Sequence, residues 1–155
     1  YEHKRFKPPA LKDMYVTANY VEEVDSPASN DFKKRFRAKF PDVVYINQEA
    51  ANSYNAVYLY KAAVEKAAST EMKAVRRALE GGGICTDGPS GRVCIDPGSH
   101  HGSHTIYLVH VRDDHSVEIP KIWNDIQPYW LGKVGCDLSK KDDFSQYTPS
   151  NLPKK

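Results

Sequence analysis

No stretch of this 155-residue chain approaches the ~18 consecutive apolar residues of a membrane-spanning helix, which excludes a helical span. Charge of one sign is also scarce, because 22 Lys and Arg stand against 20 Asp and Glu and leave a formal charge of +2. So balanced a chain has no strong field to steer nucleic acid or anionic lipid, and nucleic acid is not expected as a partner. The basic residues Lys33, Lys34, Arg35, Arg37 and Lys39 are interleaved with Phe32, Phe36 and Phe40 and read as the solvated face of a helix. Neither the glycines at 81–83 nor the turn Gly88-Pro89-Ser90-Gly91 is followed by Lys-Ser/Thr, and neither opens a helix, so a phosphate loop is absent. The opening residues YEHKRFKPPALKD lack the apolar centre of a signal peptide. The expectation is that export information has been removed or that the chain is an excised segment.

Cysteine is sparse, with Cys85, Cys94 and Cys136 an odd count. Cys85 and Cys94 flank a Gly/Pro turn at hairpin-like spacing, compatible with a disulfide in an oxidising compartment and equally with two thiols. A nucleophilic pair of Cys94 with His101 or His104 would need an orienting group and an oxyanion hole, which nothing in the sequence brings together. His100, His101 and His104, with Asp87 and Asp96 nearby, form the one cluster with metal-binding chemistry. They sit in a Gly/Ser/Pro loop, without the fixed helical or hairpin spacing that zinc favours, and read as a polar turn. No metal, no cofactor and no enzymatic activity are expected.

What is present is an alternation of element types. Met14 to Tyr20 is β-branched and aromatic and reads as a strand running into a loop. Ser26 is a good helix cap, Pro27 suits the first helical position, and Phe32, Phe36 and Phe40 mark a stripe on a helix ending before Pro41. Val43 to Ile46 reads as a short second strand. Gln48 to about Ala68 reads as a long helix, apolar on most sides and therefore expected to be covered over much of its circumference. Thr70 is the expected cap of a third helix carrying Met72, Val75 and Leu79, stopped by Gly81 to Gly83. Beyond it Arg92 to Ile95, Thr105 to Val111 and His115 to Ile119 read as strands, the last two joined at Asp113-Asp114. Trp123, Pro128, Tyr129, Trp130 and Leu131 are expected to pack on the body, and residues 132–155 read as a loop-rich tail.

The ordered series MYVTANYVEEVDSP, YLYKAAVEKA, GPSGRVCIDP and HVRDDHSVEI resembles the C-terminal part of the amide- and urea-binding members of the type I periplasmic solute-binding family. Tyr15, Tyr20 and the Asp25-Ser26-Pro27 helix start fall at the family's spacing, with Asp13 and Met14 in place of its Gly and His. Ala51, Asn52, Ser53 and Tyr54 stand where the family has Glu-Ala-Ala-Tyr, so that the Tyr alone is kept, and Glu49 lies two positions before Ala51. The resemblance implies an α/β chain, part of a Rossmann-like type I periplasmic-binding fold, with a parallel sheet flanked by helices plus a β-ribbon. Residues 1–131 are expected to form that segment. It implies the substrate-binding component of an ABC transporter for short-chain amides, urea or a related small polar solute, exported to the periplasm and docking on a membrane permease. Two other roles are compatible, an amide-responsive regulatory sensor and an interaction domain without a ligand.

The ligand-binding residues implied are Tyr54, Tyr15, Thr17, Asn19, Tyr20 and Glu49. Tyr offers a flat apolar face with a hydroxyl, Thr and Asn offer directional hydrogen bonds, and a carboxylate accepts from an NH₂ group. A segment of this fold is expected to expose apolar surface that the missing N-terminal part or a second copy of the chain would cover.

Overall fold

The computed structural model describes residues 2–129 together with Lys133 and Leu138. Strand β1 (Met14–Ala18) leads through a loop to Ser26, whose hydroxyl accepts from the Ser29 N–H at 3.2 Å and starts α1 (Pro27–Lys39). Asn47 does the same for α2 (Gln48–Ala67), accepting from the Ala50 N–H at 3.1 Å. The third helix, α3 (Met72–Glu80), is capped by Glu71 and not by the expected Thr70, because the Glu71 carboxylate reaches the N–H groups of both Lys73 and Ala74.

Val43 to Ile46 does not form the expected strand. Its ends are tied down locally instead: the Ile46 N–H donates to Glu22 Oε2 at 2.8 Å, Arg37 donates to the Val43 carbonyl at 3.0 Å, and the Val43 N–H donates to the Phe40 carbonyl at 3.3 Å. With those partners taken, no ladder is needed. The broad coverage expected of α2 is also not found. Ala51, Asn55, Leu59 and Ala63 are buried at a four-residue interval, while Val57, Tyr58 and Tyr60 are exposed. One stripe faces the body.

After α3 the chain forms β2 (Cys85–Gly88), β3 (Gly91–Ile95), β4 (Gly102–Val111) and β5 (Val117–Ile126). The sheet runs in the order β1-β4-β3-β2, with β5 also paired to β4. The chain is thus α/β with a sheet flanked by helices, as expected, but every described pairing is antiparallel where a parallel sheet was expected. Tight turns join β2 to β3 and β4 to β5, and a hairpin can only pair antiparallel. Cys85 and Cys94 are direct cross-strand partners and are joined by a disulfide, which settles the pairing left open by the sequence. Cys136 lies outside the described residues.

Along β4, Ser103, Thr105, Tyr107, Val109 and Val111 are buried. They face a core containing Tyr20, Phe32, Ile46 and Ala51, and a second cluster gathers Leu59, Ala63, Val75, Ala78, Ile84 and Val93. The opposite face is more open, with Tyr15 59% and Trp123 39% exposed. Of the aromatics expected to pack on the body, Trp123 lies in β5 and Tyr129 is exposed, whereas Trp130, Leu131 and nearly all of the 132–155 tail lie outside the described residues.

Candidate functional site

Directly opposed residues of an antiparallel pair point to the same side of a sheet. Tyr15 opposes His110, Thr17 opposes Leu108, and on the other edge of β4 Trp123 opposes Ile106. These residues therefore share the open face, and period-2 alternation carries Asn19, just past the end of β1, toward the same side. Three of the six residues expected at the site, Tyr15, Thr17 and Asn19, are brought together in this way.

At Asn19 that face meets the N-terminus of α2. Because the Asn47 cap fixes the helix start, Gln48 and Asn52, four residues apart, fall on one face of the first turns and reach Asn19 together. The Asn19 N–H donates to Gln48 Oε1 at 3.4 Å. The side chains of Asn19 and Asn52 form a reciprocal amide pair, with Asn19 Nδ2 donating to Asn52 Oδ1 at 3.0 Å and Asn52 Nδ2 donating to Asn19 Oδ1 at 3.4 Å. From β4, His104 Nδ1 lies 3.5 Å from Asn19 Nδ2. Gln48 Nε2 in turn points to Glu49 Oε1, 3.5 Å away, so the exposed Glu49 sits behind the cluster and not inside it. Among the described residues the interior of the cluster is uncharged: three carboxamides and an imidazole that burial holds below its ordinary 6.5. Gln48, Asn52 and His104 were not among the residues expected from sequence.

Tyr20 and Tyr54 lie elsewhere. Tyr20 is 1% exposed, its hydroxyl 3.2 Å from Ser29 Oγ, and burial pushes the phenol up to about 12. It belongs to the core. Tyr54 packs its ring against Phe32 and Tyr58, with centroids 5.0 and 4.7 Å away, and accepts from Arg35 at 2.6 Å. It joins α1 to α2. Several members of the basic cluster are engaged within the fold: Lys33 donates to the carbonyls of Glu22 and Val24, Arg35 to Asp31, and Arg37 to Glu22.

The histidines at 100 and 101 do not join His104. His100 sits 3.5 Å from Glu80, and the His101 ring nitrogen is 2.9 Å from the Ser99 carbonyl, in a turn held by Asp96. Among the described residues no group of three or more His, Cys, Asp or Glu is placed to hold a metal, and the sulfur of Cys94 is bonded to Cys85.

Tyr15 stacks on His110 at 4.4 Å with nearly parallel rings. His110 Nδ1 is 2.6 Å from Glu118 and Nε2 is 3.2 Å from Asp13, so one imidazole ties β5 and the start of β1 to β4. Hydrogen bonds to Glu118 and then Asp13 raise its pKa, and His110 and Arg112 lower that of Glu118. A raised histidine stabilises the fold fully below its unfolded value near 6.5, and that contribution fades as pH rises through the folded value. The lowered Glu118 contributes above its ordinary 4.5 and fades as pH falls. The expected result is that the melting-temperature difference between wild type and His110→Phe, which keeps the ring stack, is largest near about pH 6 and shrinks toward about pH 9. A difference that does not change with pH would show that the ring contact alone matters.

Residues 2–116 match the family model described as periplasmic binding protein. The chain belongs to the periplasmic binding protein family. Its fold is close to that of a solute-binding protein of an ABC transporter from Rhodopseudomonas palustris HaA2, solved in complex with p-hydroxybenzoic acid. That match has a TM-score of 0.70 and 19% identity, covering 81% of this chain and 34% of that one. An ABC-type branched-chain amino acid transporter protein from Rhodopseudomonas palustris CGA009 gives a TM-score of 0.64 at 20% identity, with 76% of this chain and 34% of that one covered. An ABC transporter substrate-binding protein from Sphaerobacter thermophilus gives 0.63 at 22% identity, with 76% and 32% covered. The chain spans about a third of the length of these solved relatives. The search of curated proteins returned no match. At such identities the likeness is one of fold, a type I periplasmic-binding fold of which this chain represents a part.

Proposed function

We propose that this chain contributes to the substrate-binding component of a periplasmic ABC transporter, and that its solute is a short-chain amide, urea or a similar small neutral compound passed to a membrane permease. The observation that carries the reading is the reciprocal Asn19–Asn52 amide pair inside an uncharged network. The asparagine side chain is an acetamide group attached to the backbone. A place that already recognises one carboxamide through its NH₂ and its carbonyl offers the chemistry that a free amide or urea requires.

Each carboxamide has two N–H hydrogens and two lone pairs. Among the described residues, Asn19 uses both of its side-chain hydrogens, while Asn52 and Gln48 each keep one and all three carbonyls keep a lone pair. Donors and acceptors alternating over a few ångströms suit a neutral amide. A carboxylate, such as the p-hydroxybenzoic acid bound by the Rhodopseudomonas palustris relative, is acceptor-only when ionised and calls for a cation, which this cluster lacks among the described residues. Thr17 and Tyr15 would border the solute along the open sheet face, and Glu49 would orient Gln48. Tyr54 and Tyr20 would act through the packing of α1 and α2 that holds the start of α2 in place. The test compares acetamide, propionamide and urea with acetate, benzoate and leucine by thermal shift. The neutral compounds are expected to raise the melting temperature, and stabilisation by the acids alone would reject the reading.

A further inference from the structure

The polarity of the Asn19–Asn52 pair is set where it meets His104, while Gln48, which touches only the Asn19 backbone N–H, is oriented separately by Glu49. Glu49 is acceptor-only when ionised, so Gln48 turns its NH₂ toward Glu49 and its carbonyl toward the Asn19 N–H. Asn19 Nδ2 faces both Asn52 Oδ1 and His104 Nδ1, so Nδ1 must be the unprotonated, accepting nitrogen and Nε2 must carry the proton. Were Nδ1 to carry a proton it would face an NH₂ group, and Asn19 would have to turn its carbonyl to His104. Asn52 would then have to turn as well, since its pair with Asn19 is reciprocal.

We infer that His104 is the positioning residue of this site: as a neutral Nδ1 acceptor it holds Asn19 and Asn52 in the orientation that receives a neutral amide, and protonation reverses both. This rests on the functional reading given above. The groups facing His104 leave the switch to the imidazole itself. Asn19 and Asn52 do not titrate, its cross-strand partner on β5 is Ile126, and the carboxylate of Glu49 is separated from it by Gln48. Burial supports the same conclusion, keeping His104 neutral to lower pH than an exposed histidine.

The experiment is an NMR titration of the full chain from about pH 8 to about pH 4, read at the His104 ring nitrogens and the side-chain NH₂ signals of Asn19 and Asn52, with and without acetamide. Without acetamide, His104 is expected as the Nε2–H tautomer, and the two NH₂ signals are expected to shift with the His104 titration. With acetamide, affinity is expected to be flat at neutral pH and to weaken up to tenfold per pH unit below the His104 pKa. His104→Gln, which can accept but cannot titrate, is expected to flatten that profile. An Nδ1–H tautomer, or acetamide affinity that ignores the His104 titration, would overturn the inference while leaving the amide site standing. If acetamide does not bind at any pH, the functional reading fails, and the ligand-free tautomer and NH₂ signals still decide the role of His104.

Discussion

Replacing Asn52 with leucine is expected to lower acetamide affinity by at least about tenfold while leaving the chain folded. Leucine is close in size and favours helix, and Asn52 is only half-buried, so loss of the reciprocal pair should cost about 1 kcal/mol of stability. The effect on binding is larger. One donor and one acceptor disappear from the site, and the Asn19 side chain keeps only its contact with His104. Two lost hydrogen bonds at about 1 kcal/mol each correspond to about tenfold to thirtyfold in affinity. Isothermal titration of wild type and variant with acetamide checks this, and unchanged affinity would remove Asn52 from the site. Far-ultraviolet circular dichroism on the same samples separates loss of binding from loss of fold.

The second large effect is on stability. Behind Asn52 on the same stripe of α2, Asn55 is 2% exposed and donates to Ser90 Oγ at 2.7 Å. Its Oδ1 lies so close to Gly88 that a β-carbon there would sit 1.8 Å from it. Gly88→Ala must therefore displace Asn55, break its bond to Ser90 and leave buried polar atoms without partners. Overpacking at about 1–3 kcal/mol together with an orphaned buried amide at about 1–3 kcal/mol gives a loss of about 2–6 kcal/mol. Thermal melts should show a fall of about 5–20 °C. The same mutation on an Asn55→Ala background should cost far less, because the obstructing oxygen is gone. Additive effects would mean that Gly88 matters for its backbone and not for its contact with Asn55.

Parts of this organisation were legible in the residues. Ser26-Pro27 fixed the start of α1, whereas the shared face of Tyr15, Thr17 and Asn19 emerges only from the β1–β4 register. Tyr20, the next residue, turns into the core instead. Antiparallel pairing was foreshadowed by the short turns at Pro89-Ser90 and Asp113-Asp114, while the resemblance to a Rossmann-like family pointed to parallel strands. Family resemblance also drew attention to Tyr54, the retained member of the Glu-Ala-Ala-Tyr pattern. The departure at Asn52 is the position the proposed site uses, because helix phase pairs it with Gln48. His104 was hidden differently. In sequence it sits with His100 and His101, yet β4 begins at Gly102 and carries it away from the turn. Contacts between Asn19 and Asn52, 33 residues apart, depend on how α2 is set against the end of β1, and local pattern does not encode that.

The most direct measurement is a ¹H–¹⁵N NMR titration of the chain with acetamide, using acetate as the matched control. The two solutes are nearly equal in size and differ in charge and in the NH₂ group. For so small a ligand the expected affinity is millimolar, about −4 kcal/mol. The account predicts saturable shifts at the side-chain amides of Asn19, Gln48 and Asn52 with acetamide and little response to acetate. An equal response to acetate, or shifts confined to residues away from the start of α2, would contradict it.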